Sequence, residues 1–203
     1  MLNSVPDHSA EPVRRRLSAA ERRRQLVGIG LAQIVRTPIQ DLSMDDIATE
    51  AGISRGLLFH YFPTKTDFYL ACIAAAGRRI QRTTAPAPDL SGPAQVEMTT
   101  RLMVDQIDRR RAFYLALVHG HAVADPRVSE VVESVREIST DRVMSALGLP
   151  AARREVVHAW WAYTEDRALS WSALPTGERP VPVEHLVAEC VAALHALLEV
   201  SAS

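Results

Sequence analysis

The residues best suited to chemistry in this 203-residue chain lie between positions 43 and 65. Arg55 and His60 fall in a stretch, 54–62, that reads as one short helix opened by Ser54. An arginine there can donate two parallel hydrogen bonds to guanine O6 and N7, and a histidine can reach a base edge or a phosphate. Leu57, on the same stretch, can pack against a thymine methyl. Thr64 and Lys65 open the next helix, where free backbone N–H groups and the helix dipole favour a bound phosphate. Lys65 adds a compact point charge at that spot and is the one lysine among 23 basic residues.

Holding such groups in place requires helices, and the chain reads as helical throughout. No alternating strand bounded by turn residues is found, so the fold class is all-α, with about nine helices. Three helix starts share one device: Ser18-x-x-Glu21, Ser43-x-x-Asp46 and Thr64-x-x-Asp67. In each the hydroxyl accepts from exposed backbone N–H groups and the acid suits the positive helix end. The spacing predicts helices from Ser18 to about Arg36 and over 44–51, 54–62 and 64–83, with Pro38, Gly52 and Pro63 as breaks. After the linker APAPDLSGP at 85–93, five more follow, roughly 93–110, 111–124, 127–147, 151–174 and 183–200. Pro126 and Pro150 suit first-turn positions, and Gly148 suits a C-cap. Residues 1–17 show no apolar periodicity and read as a mobile basic arm.

The pair 44–51 and 54–62 has helix-turn-helix character: Ile47 and Ala48 are apolar, Ala51 is small, Gly52 permits the turn and Ile53 plugs the core. Many helical hairpins share that spacing. The full run 43–70, SMDDIATEAGISRGLLFHYFPTKTDFYL, is more specific, above all in Phe59, Tyr61, Phe62, Pro63 and Lys65. It resembles the DNA-binding signature of the TetR (tetracycline repressor) family of bacterial transcriptional regulators. The helix from Ser18 fits that family's first helix, and the part beyond the linker resembles it only in length, helix count and order. The resemblance implies a DNA-binding domain over 18–66 and a helical ligand-binding and dimerisation domain over 67–203. It implies DNA contacts from Ser43, Ser54, Arg55, Leu57, His60, Tyr61, Thr64 and Lys65, with Tyr61 as a phosphate-contacting aromatic. Leu57 and Phe59 stand where the family often has threonine and tyrosine. Those changes remove two hydroxyls and point to altered specificity. Phe59 and Phe62 also read simply as core packing.

Beyond the linker the last helix is apolar almost all round, which requires cover on more than one side. The helix before it carries a stripe of Val156, Trp160, Tyr163, Arg167 and Trp171. Together with Leu186, Cys190, Leu194 and Leu197 these are expected to pair with a second copy in a four-helix interface. An effector pocket would be mostly apolar with a few polar groups. Candidates are Met103, Ile107, Phe113, Leu117, His121, Ile138, Trp161 and Thr164, each of which also fits ordinary core. Glu165 and Asp166 could anchor a cation or pair with Arg167 or a neighbouring helix.

Other function classes are disfavoured. Cys72 and Cys190 have no zinc or disulfide spacing, and His119 and His121 point to different helix faces, so no metal or other cofactor is expected. Gly28-Ile-Gly30 lies inside a capped helix with no preceding strand and is not a dinucleotide loop. No serine or cysteine sits in a nucleophile motif, so an enzyme is not expected. The N-terminus lacks a signal-peptide core, and no run is long enough to span a membrane, so a cytoplasmic location is expected.

The net charge of −1 argues at first against a nucleic-acid partner. However, residues 11–36 hold seven arginines against Glu11 and Glu21, while residues 66–203 hold 14 basic and 17 acidic groups. The average hides a basic start joined to a mildly acidic remainder. The runs Arg14–Arg16 and Arg22–Arg24 fit either a solvated face or phosphate contacts. The reading is a dimeric regulator, most simply a repressor, that binds an inverted-repeat DNA operator and is released by a small apolar effector. The alternative is a helical small-molecule-binding or partner-binding module that has lost operator binding.

Overall fold

The computed structural model describes residues 17–34, 41–118 and 126–201, the side chains of 116–118 and 128 excepted. Residues 1–16 of the expected arm, Pro38, His119 and His121 lie outside them, as does the side chain of Leu117. The described residues form nine α-helices: α1 Ala19–Ile34, α2 Met44–Glu50, α3 Arg55–Tyr61, α4 Lys65–Thr83, α5 Gly92–Arg109, α6 Arg111–Val118, α7 Pro126–Leu147, α8 Arg154–Trp171 and α9 Val183–Val200. Among these residues no helix is long and apolar enough to cross a membrane.

All of the predicted caps form. Ser18 and Glu21 close a reciprocal box, in which the Glu21 carboxylate accepts from the Ser18 N–H at 2.8 Å and its hydroxyl at 2.7 Å. The Ser18 hydroxyl bond, followed by the backbone one, holds the Glu21 carboxyl below its ordinary pKa. Ser43 accepts from the Asp46 N–H at 3.1 Å, and Ser54 from the Leu57 N–H at 3.2 Å. Gly52, at φ +65°, makes the turn between α2 and α3 that a side chain would strain. The expected helix 151–174 is shorter than its periodicity suggests. Ala151–Arg153 is a 3-10 turn after Pro150, and α8 stops at Trp171, ahead of Pro175, which disfavours helix in the residue before it.

α4 joins the two parts of the molecule, packing against α1 on one side and α7 on another. α1 approaches α4 closely at Gly30, where a Cβ would lie 2.4 Å from Phe68 Cζ and 2.7 Å from Cys72 Sγ. The Cys72 thiol donates to the Val27 carbonyl at 3.7 Å, and burial pushes its pKa up to about 12. It is a packing group with no thiolate character near neutrality. α5 packs against α7, α8 and α9. One hydrophobic cluster runs from Leu26, Ile47, Leu58 and Phe68 to Val104, Trp160 and Leu194.

Candidate nucleic-acid interface

α3 has only seven residues, and burial divides it. Leu58 is fully buried and Phe62, at its C-cap, is 1% exposed, whereas Leu57 is 39% exposed. Phe59 and Tyr61 are half-buried, and Ser54, Arg55, Gly56 and His60 are open to solvent. The outward face is therefore Arg55, Leu57 and His60, which is what a helix needs to enter a groove. Phe62 serves the core, meeting Phe68 edge-on at 5.0 Å.

Arg55 is not alone on this face. Its Nη1 donates to Asp45 Oδ2 at 2.6 Å, and its guanidinium lies 5.4 Å from the Phe59 ring centroid. Both ends of the ion pair are mostly exposed, so it contributes at most about 1 kcal/mol. A bidentate guanine contact discriminates by about 1–3 kcal/mol. Asp45 thus orients the guanidinium without trapping it. In sequence Asp45 reads only as an acid in the first turn of α2; its approach to Arg55 depends on how α2 and α3 pack.

The start of α4 is capped as its spacing predicts, which leaves a phosphate there to Lys65 rather than to free N–H groups. Thr64 and Asp67 form a full capping box there: the Asp67 carboxylate accepts from the Thr64 N–H at 3.1 Å and from its hydroxyl at 2.7 Å. A carboxylate already occupies the helix N-terminus, and the cation beside it is the half-buried Lys65. Arg22 and Arg23 also have work within the fold. Arg22 donates to the Ala51 carbonyl in the turn at 3.3 Å, and Arg23 lies 4.4 Å over the Phe62 ring. Neither helix-clamping contact is visible in an arginine run.

Met103, Ile107, Phe113, Trp161 and Thr164, five of the pocket candidates, are buried. Ile138 is 37% exposed on α7 and does not face the interior, a correction to its place among them. A cavity of about 30 Å³ is lined by Ile80, Tyr114, Val135 and Glu165 among others, none of them a predicted pocket residue. Glu165 is held by Arg136 at 2.6 Å, and Trp161 Nε1 and Thr140 Oγ1 are buried with no hydrogen-bond partner. Glu133, Glu137 and His158 come close enough together to hold a metal ion. Arg136 and Arg154 already neutralise those carboxylates.

The expected interface residues divide into three groups by burial. Trp160, Trp171, Leu186, Cys190 and Leu194 are buried inside the protomer, where Trp160 Nε1 donates to the Cys190 carbonyl at 2.7 Å. This corrects their assignment to a contact with a second copy: Trp160, Leu186, Cys190 and Leu194 lie in the core that holds α8 to α9, and Trp171 packs on the loop between them, its Nε1 donating to the Val181 carbonyl at 2.8 Å. Val156 and Arg167 are half-buried, and Arg167 pairs with Glu189 at 2.8 Å. Tyr163 and Leu197 are exposed, on faces made small by Ala159 and Ala162 of α8 and by Ala188, Ala192 and Ala196 of α9.

The profile of the bacterial regulatory proteins, tetR family, matches residues 30–72, which span the end of α1 to the first turns of α4. Over 184 residues the chain is 26% identical to the HTH-type transcriptional activator FasR of Mycolicibacterium smegmatis, covering 85% of this chain and 80% of that protein. A crystal structure of a tetR-family transcriptional regulator from Streptomyces coelicolor is similar at a TM-score of 0.76 and 31% identity, covering 92% of this chain and 84% of that one. A TetR-like transcriptional regulator from Rhodococcus sp. RHA1, 22% identical, shares the fold at a TM-score of 0.66 over 91% of this chain and 99% of its own.

Proposed function

The chain belongs to the TetR family of transcriptional regulators, and on that premise we propose that it binds an inverted-repeat operator as a homodimer and releases it when a small molecule occupies its helical half. The observation that carries this reading is the outward face of α3, where Arg55, Leu57 and His60 are exposed beside a capped, buried scaffold. Arg55 reads a guanine, Leu57 packs on a thymine methyl, and Ser43, Ser54, His60, Tyr61 and Lys65 supply polar or charged contacts to the backbone, while Thr64, engaged by Asp67, positions Lys65. Seven residues of helix bind weakly alone. A two-fold pair reading half-sites about 34 Å apart adds the two contributions.

The face that would pair the protomers is the small-residue surface around Ala162, Tyr163, Ala192 and Leu197, where close helix approach is sterically open. The effector site we favour lies along the α7–α8 seam, where Trp161 Nε1 and Thr140 Oγ1 lack partners amid apolar side chains. An effector with an apolar body and one or two hydrogen-bonding groups matches it. It shifts operator occupancy only if it binds the DNA-incompetent state more tightly.

Repression is the simplest outcome of operator occupancy. Activation is the second reading, favoured by the similarity to a transcriptional activator, and it requires only an operator placed where the bound protein aids the polymerase. Capture of genomic fragments by the full-length protein, followed by footprinting, tests operator binding and finds the site. The expected footprint is two-fold symmetric and weakens steeply with salt. Retention of DNA without regard to symmetry or salt would overturn the reading. Transcription from the captured promoter then gives the sign of regulation.

A further inference from the structure

An open groove of about 640 Å³ runs between α1 and α4. Its floor is small and apolar, with Val27, Gly28 and Leu31 on α1 facing alanines of α4. A Cβ built on Gly28 would meet nothing within 4 Å. The lining includes five arginines, Arg23, Arg24, Arg78, Arg79 and Arg82, and no acid. Among the described residues none of the five forms an ion pair. The arginines at 101, 136, 154, 167 and 179, by contrast, each have a carboxylate partner.

Arg24 has the Glu21 carboxylate as a neighbour, but Arg23, Arg78, Arg79 and Arg82 crowd like charge around one trough until an anion joins them, and the apolar floor asks for hydrocarbon. We infer that the α1–α4 groove binds a single anionic amphiphile, a long hydrocarbon chain ending in a carboxylate or phosphate monoester. The chain lies along the floor, and guanidinium groups grip the head through charge-assisted, bidentate hydrogen bonds. The volume is that of a ligand-sized cleft. A nucleic-acid strand fits less well, because an apolar floor offers a phosphodiester backbone nothing at its centre. Arg78 also lies about 20 Å along α4 from Lys65. The chain's own residues 1–16 match poorly in charge, with Arg14–Arg16 against Asp7 and Glu11.

The groove touches the DNA-reading unit at one point. Arg23 lies over the ring of Phe62, the residue that closes α3. An anion that draws Arg23 off that ring acts on the end of the recognition helix, so occupancy alters operator affinity. This coupling rests on the operator reading above. The binding itself does not, and the two are measured separately.

The test is calorimetric titration of the full chain with hexadecyl phosphate below its micelle concentration. Inorganic phosphate, hexadecanol, a glutamate peptide and anionic vesicles serve as comparators. Saturable binding, one amphiphile per chain and at least about tenfold tighter than hexadecanol or inorganic phosphate, is expected. Gly28→Leu, which fills the trough where space is open, abolishes it, and joint Arg78→Gln and Arg82→Gln weaken it at least about tenfold. Circular dichroism melts of both variants check that the fold is kept. Equal binding of hexadecanol, binding of the peptide or vesicles alone, or unchanged binding in the two folded variants would each overturn the proposal. Operator affinity is then measured with and without the amphiphile. A several-fold shift that Gly28→Leu abolishes is expected, and no shift overturns the coupling. Loss of any operator binding strikes the operator reading and leaves the groove standing.

Discussion

The short helices that bear the candidate DNA contacts and the long helices at the other end of the chain are held in place by opposite means. α2 and α3 have seven residues each, and each starts on a serine that accepts a backbone hydrogen bond. They bury little: Met44, Ile47 and Ala48 on one, Leu58 on the other. α8 and α9 have 18 residues each and no side-chain cap bond, yet they bury Val157, Trp160, Trp161, Leu186 and Leu194 among others. Seven residues are far fewer than an isolated helix needs, so the end groups matter there. Over 18 residues, burial of two tryptophans outweighs a missing cap. The difference bears on function. A helix fixed by its ends and one buried leucine leaves its outer face free to carry Arg55 and His60, whereas a helix fixed by its faces leaves little surface for chemistry.

The comparison can be broken by mutation. Trp160→Ala in α8 is expected to cost about 3–5 kcal/mol of stability in urea unfolding, through the cavity it leaves. Arg55→Ala is expected to leave the fold intact and to cost about 1–3 kcal/mol of operator affinity, with relaxed preference at one base pair, read by titrating single-base operator variants. Ser54→Ala is expected to cost about 1 kcal/mol in the same urea experiment, through the lost cap. If it cost as much as the tryptophan, the short helix would not be held as described. Lys65→Ala is expected to reduce the slope of log affinity against log salt by about one and to change base preference little. A loss confined to one operator sequence would move Lys65 from the phosphate to a base.

Sequence carried the N-terminal elements well because their signals are local. A cap is readable within four residues, and Ser18, Ser43, Ser54 and Thr64 all sit at helix starts. Gly52 at the turn and Leu58 in the core follow from the same short window. What sequence hid depends on contacts across the fold. Asp45 reaches Arg55 across ten positions, and Arg22 reaches the Ala51 carbonyl across 29. The helices at 154–171 and 183–200 are apolar on two sides, and periodicity cannot tell which side faces the protomer's own core. Trp160 and Leu194 therefore read as interface residues, whereas the structure buries them within the protomer and leaves Tyr163 and Ala192 exposed. Glycines 28 and 30 lie two positions apart in one helix, yet Gly30 lets α1 meet α4 while Gly28 opens onto the groove.

The contact at Gly30 also sets a mechanical scale. With no side chain on Gly30, Phe68 and Cys72 of α4 seat directly against the α1 backbone, and Arg22 of α1 binds the corner between α2 and α3. α4 is 19 residues long, a rod of about 28 Å, so a tilt of about 10° at one end moves the other by about 5 Å. Two protomers tilting in opposite senses would change the distance between their reading heads by about 10 Å, against a half-site spacing of about 34 Å. On the proposed two-fold operator reading, close packing at a single glycine would let a small angular change in the helical half throw the pair out of step with the turns of the duplex.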